Sequence, residues 1–328
     1  MISKETGKLL RGIAILIVIA SHYAEWVYMP VTYGFVYETI AKWGPVGVDV
    51  FLLMSGYGLH KSVTGGKYGK NNKNGITPAF VIKRLLGAYV PYLICRTLIY
   101  LYSGTWKEAL AEGTMKEVMK DYFLGGGFWF MSVLFTMYIA FMIIYRFGGV
   151  LRVPLISAFV IFQTYYLYTK GYADFWELSN MAFVIGILAA AAEGRWKKQM
   201  SAAWYKVALA AISVAGICYT YNGMIHATPD VKPSYFAWEL AFNIFFTLAV
   251  LVIAYIIPTW KGPVLTSIGE SSLFVYLLHT AMFWALVFKF DKFGYAVATA
   301  ITALITVAFA TLLGLIYNRL SGLVTARL

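Results

Sequence analysis

The chain has 328 residues, of which 60% are hydrophobic, 18% aromatic and 13% charged, and its mean hydropathy is +0.69. A soluble domain carries roughly 45–50% apolar and about 25% charged residues, so this composition cannot clothe a water-facing fold, and a disordered chain is excluded with it. The formal net charge of +12 would suggest nucleic acid in a soluble protein, but no basic face here is free of membrane duty.

In chain order, apolar runs fall at about 9–29, 44–60, 85–103, 128–146, 153–169, 177–193, 204–221, 236–257, 266–288 and 294–317. Each is near the ~20 residues that a helix needs to cross a bilayer, and none alternates with the period of two that a membrane β-barrel requires. The expectation is an all-α, polytopic membrane protein of about ten transmembrane helices, forming one domain over residues 1–328. The first run follows Lys4, Lys8 and Arg11 but contains Ser21, His22 and Glu25 and no clear small-residue cleavage site, so it is expected to be a retained span.

An even number of spans places both termini on one side. With that side taken as the cytoplasm, the inner segments hold 18 Lys and Arg and the outer ones 8, with Arg96 inside a span. The positive-inside rule then puts both termini in the cytoplasm. Trp26, Tyr28, Trp106, Trp176, Tyr235, Trp238 and Trp260 lie near run ends, as interfacial aromatic belts do. The outer loop 105–127 spaces Glu108, Glu112, Glu117 and Asp121 among lysines at helical intervals, which predicts a short surface helix. Cys95 and Cys218 lie in apolar runs and offer neither a disulfide framework nor metal-ligand spacing, so no metal is expected.

Ionisable residues inside spans are costly, which makes them the candidates for function. His22, Glu25, Asp49, Arg96 and His279 are the five that stand out. Arg11 and His22 are eleven residues apart, about 16.5 Å and close to three full turns, so they share a helix face. Glu25 follows His22 by three and joins that face. Asp49 enters the second span from the opposite side, at a depth near Glu25. His279 reaches mid-membrane nine residues past Glu270. Two histidines and two carboxylates at similar depth suit proton transfer, with a neutral histidine as base and a carboxylate as orienter. Other roles stay open: His279 as a structural partner of a backbone carbonyl, Arg96 as the partner of an outer carboxylate. His60 and His226 sit at run edges and are expected to be solvated.

Four ordered segments resemble membrane acyltransferase family 3, the bacterial polysaccharide O-acetyltransferase type. RGIAILIVIASH, Arg11 to His22, is similar to its R-x10-H signature. GPVGVDVFLLMSGYGL (Gly44 to Leu59), WFMSVLFTMY (Trp129 to Tyr138) and IGESSLFVYLLH (Ile268 to His279) resemble three further stretches in the expected order. One departure stands out. The family opens its third span with R-x-x-R, whereas VIKRLLGAYVPY has Lys83 and Arg84 but Gly87 at the second arginine position.

The resemblance implies transfer of an acyl group, most often acetyl, from coenzyme A to a sugar hydroxyl at a bacterial plasma membrane. Arg11, Lys83 and Arg84 would receive the phosphates of acetyl-CoA at the cytoplasmic mouth, with Trp129 and Tyr138 as further donor-binding candidates. The thioester arm would then run toward His22 as general base, with Glu25 or Asp49 as orienter and His279 as a further catalytic candidate. Ser55, Tyr57 and Tyr276 are possible wall residues, and Lys61, Lys67, Lys70 and Lys73 are topology determinants or coenzyme A contacts. The acceptor would be a carbohydrate, with no nucleic acid involved, and transfer would be completed within the membrane domain or by a partner. The rival reading is a proton-coupled transporter or lipid-linked sugar flippase; against it stands the absence of a visible repeat or of paired broken helices.

Overall fold

The computed structural model describes residues 2–27, 40, 43–65, 76–125, 128–172, 174–199, 202–227, 232–256 and 262–326. Among these residues there are helices and no strands. Tyr28, Lys67, Lys70, Lys73 and Trp260 lie outside the described residues.

The long helices are α1 (Lys4–Val27), α2 (Gly44–Thr64), α3 (Pro78–Ser103), α6 (Trp129–Phe147), α7 (Arg152–Thr169), α8 (Asn180–Gln199), α9 (Ala203–His226), α10 (Lys232–Ile256), α12 (Ser272–Leu286) and α13 (Tyr295–Thr325). They stand at all ten positions that the apolar runs mark. Among the described residues, 8 spans are long and apolar enough to cross a membrane. The other two positions belong to α2 and α8, whose apolar character is diluted by Asp49, His60 and Lys61 in one and by Glu193, Arg195 and two lysines in the other. The chain is an all-α polytopic membrane protein.

Three local departures from straight helices have readable causes. In α3, residues Leu85–Tyr89 form a π-helical turn immediately before Pro91. A proline donates no N–H and its ring clashes with the carbonyl four residues back, here that of Gly87, and the wider turn relieves both problems. The Tyr317 hydroxyl donates to the Leu86 carbonyl at 2.6 Å within the same stretch. The outer loop holds two short helices rather than one, α4 (Thr105–Glu112) and α5 (Met115–Leu124), divided at Gly113, whose φ of 72° favours glycine. The ninth apolar run is split into α11 (Pro263–Glu270) and α12, with Ser271 between them. There the Glu270 carbonyl accepts from Asn318 Nδ2 at 3.0 Å, so the break leaves it satisfied.

The chain divides into two compact units. The first comprises Met1–Leu10, Pro45–Ile76 and Met137–Lys261; the second comprises Arg11–Gly44, Thr77–Thr136 and Gly262–Leu328. Within the first, α2 and α8 meet through reciprocal glycines. A Cβ on Gly56 would stand 2.1 Å from the Phe183 carbonyl oxygen, and one on Gly186 2.2 Å from that of Leu53. Helices in lipid gain little from apolar burial against one another, so small residues that let backbones touch supply much of their adhesion. In the same unit the Phe245 and Trp238 rings of α10 fill the space beside Gly216 and Gly223 of α9.

Polar side chains in the first unit close on one another. Glu193, 5% exposed, accepts from Tyr57 Oη at 2.7 Å and from Lys61 Nζ at 2.5 Å, and Tyr57 Oη in turn accepts from the Ile2 N–H. His60 is buried, not solvated as its place at a run edge suggests. Its Nδ1 lies 2.6 Å from the Tyr145 hydroxyl, whose ring carries the Arg152 guanidinium on its face. His226 is exposed, as expected.

In the second unit α1 packs on α11 at Gly12, where a Cβ would meet the Leu265 carbonyl oxygen at 2.2 Å. Helix α13 approaches the α11–α12 break at Gly314, against Ser271. The Tyr23 hydroxyl ties α1 to both neighbours, donating to the His279 carbonyl at 3.1 Å and lying 3.2 Å from Thr306 Oγ1. These contacts fix the rotation of α1, and with it the direction in which His22 points.

Candidate functional site

Of the residues that pattern reasoning singled out, His22, Glu25, Arg11, Lys83, Arg84, Trp129 and His279 belong to the second unit, and Asp49 and Tyr138 to the first. The centre of the second unit is a histidine pair. His22 Nδ1 on α1 stands 2.7 Å from His279 Nε2 on α12, and the two rings are within 7° of parallel. His279 Nδ1 faces the Tyr276 carbonyl oxygen at 2.5 Å.

This chain of contacts assigns the protons. A carbonyl oxygen only accepts, so His279 Nδ1 carries the hydrogen and, in the neutral ring, Nε2 is the acceptor. His22 Nδ1 must then donate to it, which leaves the lone pair of the neutral His22 ring on Nε2. The Thr280 hydroxyl, 3.4 Å from His279 Nε2, is consistent with that acceptor role. The Tyr276 carbonyl thus sets the tautomer of the His22 ring through the intervening His279 imidazole.

The pair faces a cavity of about 400 Å³, within the range of small-molecule sites. Its walls are largely aromatic: Trp26, Phe128, Trp129 and Tyr276 line it together with the two histidines. Trp26 stacks on His22 with ring centroids 5.2 Å apart and 15° between planes, and its other contacts with Phe283 and Trp284 hold it in place. Tyr276 is buttressed by Phe130 at 5.0 Å.

Arg96 lines the same cavity. It forms an ion pair with Asp121 of α5, and its Nη2 donates to the Tyr100 hydroxyl at 2.7 Å. Helix α5, the surface helix anticipated from the loop's charge spacing, is itself fastened to α3: Tyr92 Oη donates to the Tyr122 carbonyl at 2.7 Å, and Thr97 Oγ1 lies 2.7 Å from Tyr122 Oη. The two roles considered for Arg96 therefore coexist, since it pairs with an outer-loop carboxylate and also borders the histidine cavity.

Among the described residues of the second unit, His22 Nδ1 is occupied by His279, and no hydrogen bond joins Glu25, which is half-buried, to the ring. Asp49 is 1% exposed and lies near the first turn of α2. Tyr138 stands 3.4 Å from Ser55 Oγ, in the first unit, and Tyr57 belongs to the Glu193 network. Arg11, Lys83 and Arg84 are half-buried near the starts of α1 and α3, and Arg84 rests on the Phe80 ring at 5.1 Å. Arg11 is about 16.5 Å below His22 along α1.

Three contributors escaped the sequence reading. Trp26 was assigned to an interfacial belt, and its i+4 spacing from His22, which puts both on one face, was the available signal. Phe128 and Thr280 carried none beyond standing next to Trp129 and His279.

No curated protein sequence and no solved structure matches the chain. The acyltransferase domain family matches residues 8–318, nearly its whole length and including every segment that forms the cavity. The chain belongs to acyltransferase family 3.

Proposed function

We propose that this membrane acyltransferase moves an acyl group, acetyl in the simplest case, from cytoplasmic acyl-coenzyme A to a hydroxyl of a cell-envelope or extracellular carbohydrate at a bacterial plasma membrane. The observation that carries the reading is the proton assignment at the histidine pair, which leaves a basic nitrogen, His22 Nε2, as the free position of a ring that lines an aromatic-walled cavity. Aromatic faces suit the C–H faces of a sugar ring, and a fixed neutral imidazole suits removal of a hydroxyl proton.

In this mechanism the acceptor oxygen attacks the thioester carbon as its proton passes to His22 Nε2. The new C–O bond forms, the C–S bond breaks, and the imidazolium returns the proton to the departing thiolate. His279 does what a carboxylate does in a Ser-His-Asp triad, holding the base in one tautomer and orientation. A neutral orienter stabilises the imidazolium less than a carboxylate would, which keeps it the stronger acid toward the leaving sulfur. Arg11, Lys83 and Arg84 form the basic mouth for the phosphates of coenzyme A, with both termini in the cytoplasm. The thioester arm follows α1 over the three turns to His22.

The test is transfer of labelled acetyl from acetyl-CoA by purified protein in detergent, for wild type beside His22→Ala. Transfer that is lost in a folded His22→Ala variant supports the reading. Equal activity in both removes His22 from the chemistry, and wild-type protein that neither binds nor consumes acetyl-CoA overturns the donor assignment.

A further inference from the structure

We infer that the acceptor is acidic, and that Arg96 recognises a carboxylate or phosphate group on its sugar. The inference rests on reading the histidine cavity as the place where the acceptor reacts; it adds which acceptors belong there.

A guanidinium presents five N–H donors in a planar fork. In Arg96 the two polar contacts, to Asp121 and to Tyr100 Oη, are both made by Nη2. The face of the group lies over the rings of Tyr100, at 4.5 Å, and Phe128, at 5.1 Å. Nε is buried with no hydrogen-bond partner among the described residues. Nε is closed off by its surroundings, so the donor left for an entering group is Nη1, for which no contact is found among the described residues. A stacked, pre-oriented arginine with one nitrogen to spare can receive an oxygen of a carboxylate or phosphate by a charge-assisted hydrogen bond.

The ion pair is also lopsided. The Asp121 side chain is 34% exposed, whereas that of Arg96 is 8% exposed. The anion sits toward solvent and the cation toward the cavity. No carboxylate lines the cavity among the described residues, and the groups opposite Arg96 are the neutral histidine pair and aromatic rings. An anion entering there meets a cation whose own partner, Asp121, is the more exposed member of the pair, and a medium in which charge-assisted hydrogen bonds are strengthened by the scarcity of water. Were Arg96 present only to anchor α5, the neutral contacts of Tyr92 and Tyr122 would already serve.

Three probes separate the possibilities: methyl β-glucuronide, glucose 1-phosphate and methyl β-glucoside. Binding to the full chain in detergent, without any acyl-CoA, is followed by tryptophan fluorescence, since Trp26 and Trp129 both line the cavity. At least one acid is expected to bind about tenfold or more tighter than the glucoside. Which acid it is tells carboxylate from phosphate. Arg96→Gln is expected to bring acid and glucoside within about twofold of each other. Arg96→Lys keeps the charge without the fork and is expected to retain only part of the preference, which gives a second reading should the glutamine variant fold poorly.

Equal binding of all three probes by wild type, binding of none, or an acid preference that survives in Arg96→Gln overturns the inference. The outcome is separable from that of the transfer reaction. Acid preference in a protein that never moves acetyl would retire the acetyl-donor reading and keep the anion site. Transfer to a neutral sugar with no acid preference would do the reverse.

Discussion

Each compact unit contains a cation, a carboxylate and a tyrosine hydroxyl joined by short contacts, and the two sets are used differently. In the first unit, Lys61 and Tyr57 both bond to Glu193, so the buried carboxylate is saturated by its neighbours. In the second, the buried member is the cation, and Arg96 keeps one donor, Nη1, to spare beside a cavity. The histidines repeat the contrast: His60 is buried against Tyr145, while His22 shares one nitrogen with His279 and lines an open space. A buried polar group says little about function by residue type alone. What separates an adhesive group from a chemical one is whether bonding capacity is left over where a ligand can enter.

The largest expected effect that tests this contrast is on turnover. His22→Ala should lose roughly 10²–10⁴-fold in acyl transfer per folded molecule, as removal of a general base does. His60→Ala should leave turnover per folded molecule unchanged and lower the thermal midpoint instead. Parallel assays and unfolding curves in detergent check the pair. If His60→Ala abolishes turnover in protein that melts like wild type, the contrast is wrong. Next comes the orienter. His279→Leu should cost on the order of 10²-fold. His279→Gln, whose amide oxygen can still accept from His22 Nδ1, should recover part of that loss, a rescue that simple packing would not produce.

Effects confined to stability follow. Gly186→Ala forces a methyl group into a gap of 2.2 Å from the Leu53 carbonyl oxygen, with the Tyr57 nitrogen at 2.8 Å. Backbone atoms cannot swing aside as a flexible side chain would, so a loss of about 1–3 kcal/mol is expected from overpacking. Glu193→Ala strips Lys61 and Tyr57 of their shared acceptor and should cost a similar amount, about 1–3 kcal/mol. Neither variant should shift the preference among acidic and neutral acceptors. A change in that preference would show that the first unit's network reaches the chemistry.

Much of the fold was legible because lipid is an undemanding reader. Apolar length alone marked the ten long helices, and charge spacing marked the surface helices around Asp121. The breaks were less visible. Pro91 gives a physical reason for the π turn, but its exact form depends on backbone packing, and the division at Ser271 has only Gly269 near it; a lone glycine in an apolar run does not by itself mark a break. At the cavity, His22, Arg96 and His279 were legible because charge and imidazole are scarce in spans. The contact between the two histidines was not. Helical phase places Glu25 on the face of His22, yet partner choice across 257 residues of sequence is settled by how α1 and α12 are rotated, which Tyr23 and Gly12 help to fix.

The smallest expected effect concerns Gly87, which stands where the R-x-x-R pattern that the chain resembles has its second arginine. Gly87 stands in the π turn with nothing within 4 Å of where its Cβ would be. A longer side chain therefore fits without displacing a neighbour, and leaving glycine in a helical segment is worth up to about 1 kcal/mol. Gly87→Arg adds a second cation three residues beyond Arg84. Exposed ion pairs contribute about 0.2–1 kcal/mol, so the KM for acetyl-CoA should fall by roughly 1.5- to 5-fold, with kcat and the choice of acceptor unchanged. The comparison between wild type and this variant at low and high salt is the sharper measurement, because a phosphate contact made through solvent-accessible charge fades as salt rises. A KM that rises instead, or a gain that persists undiminished at high salt, would mean that the start of α3 does not face the coenzyme A phosphates. Arg11 would then remain as the cation to place at that mouth, and the donor's path along α1 would have to be argued from it alone.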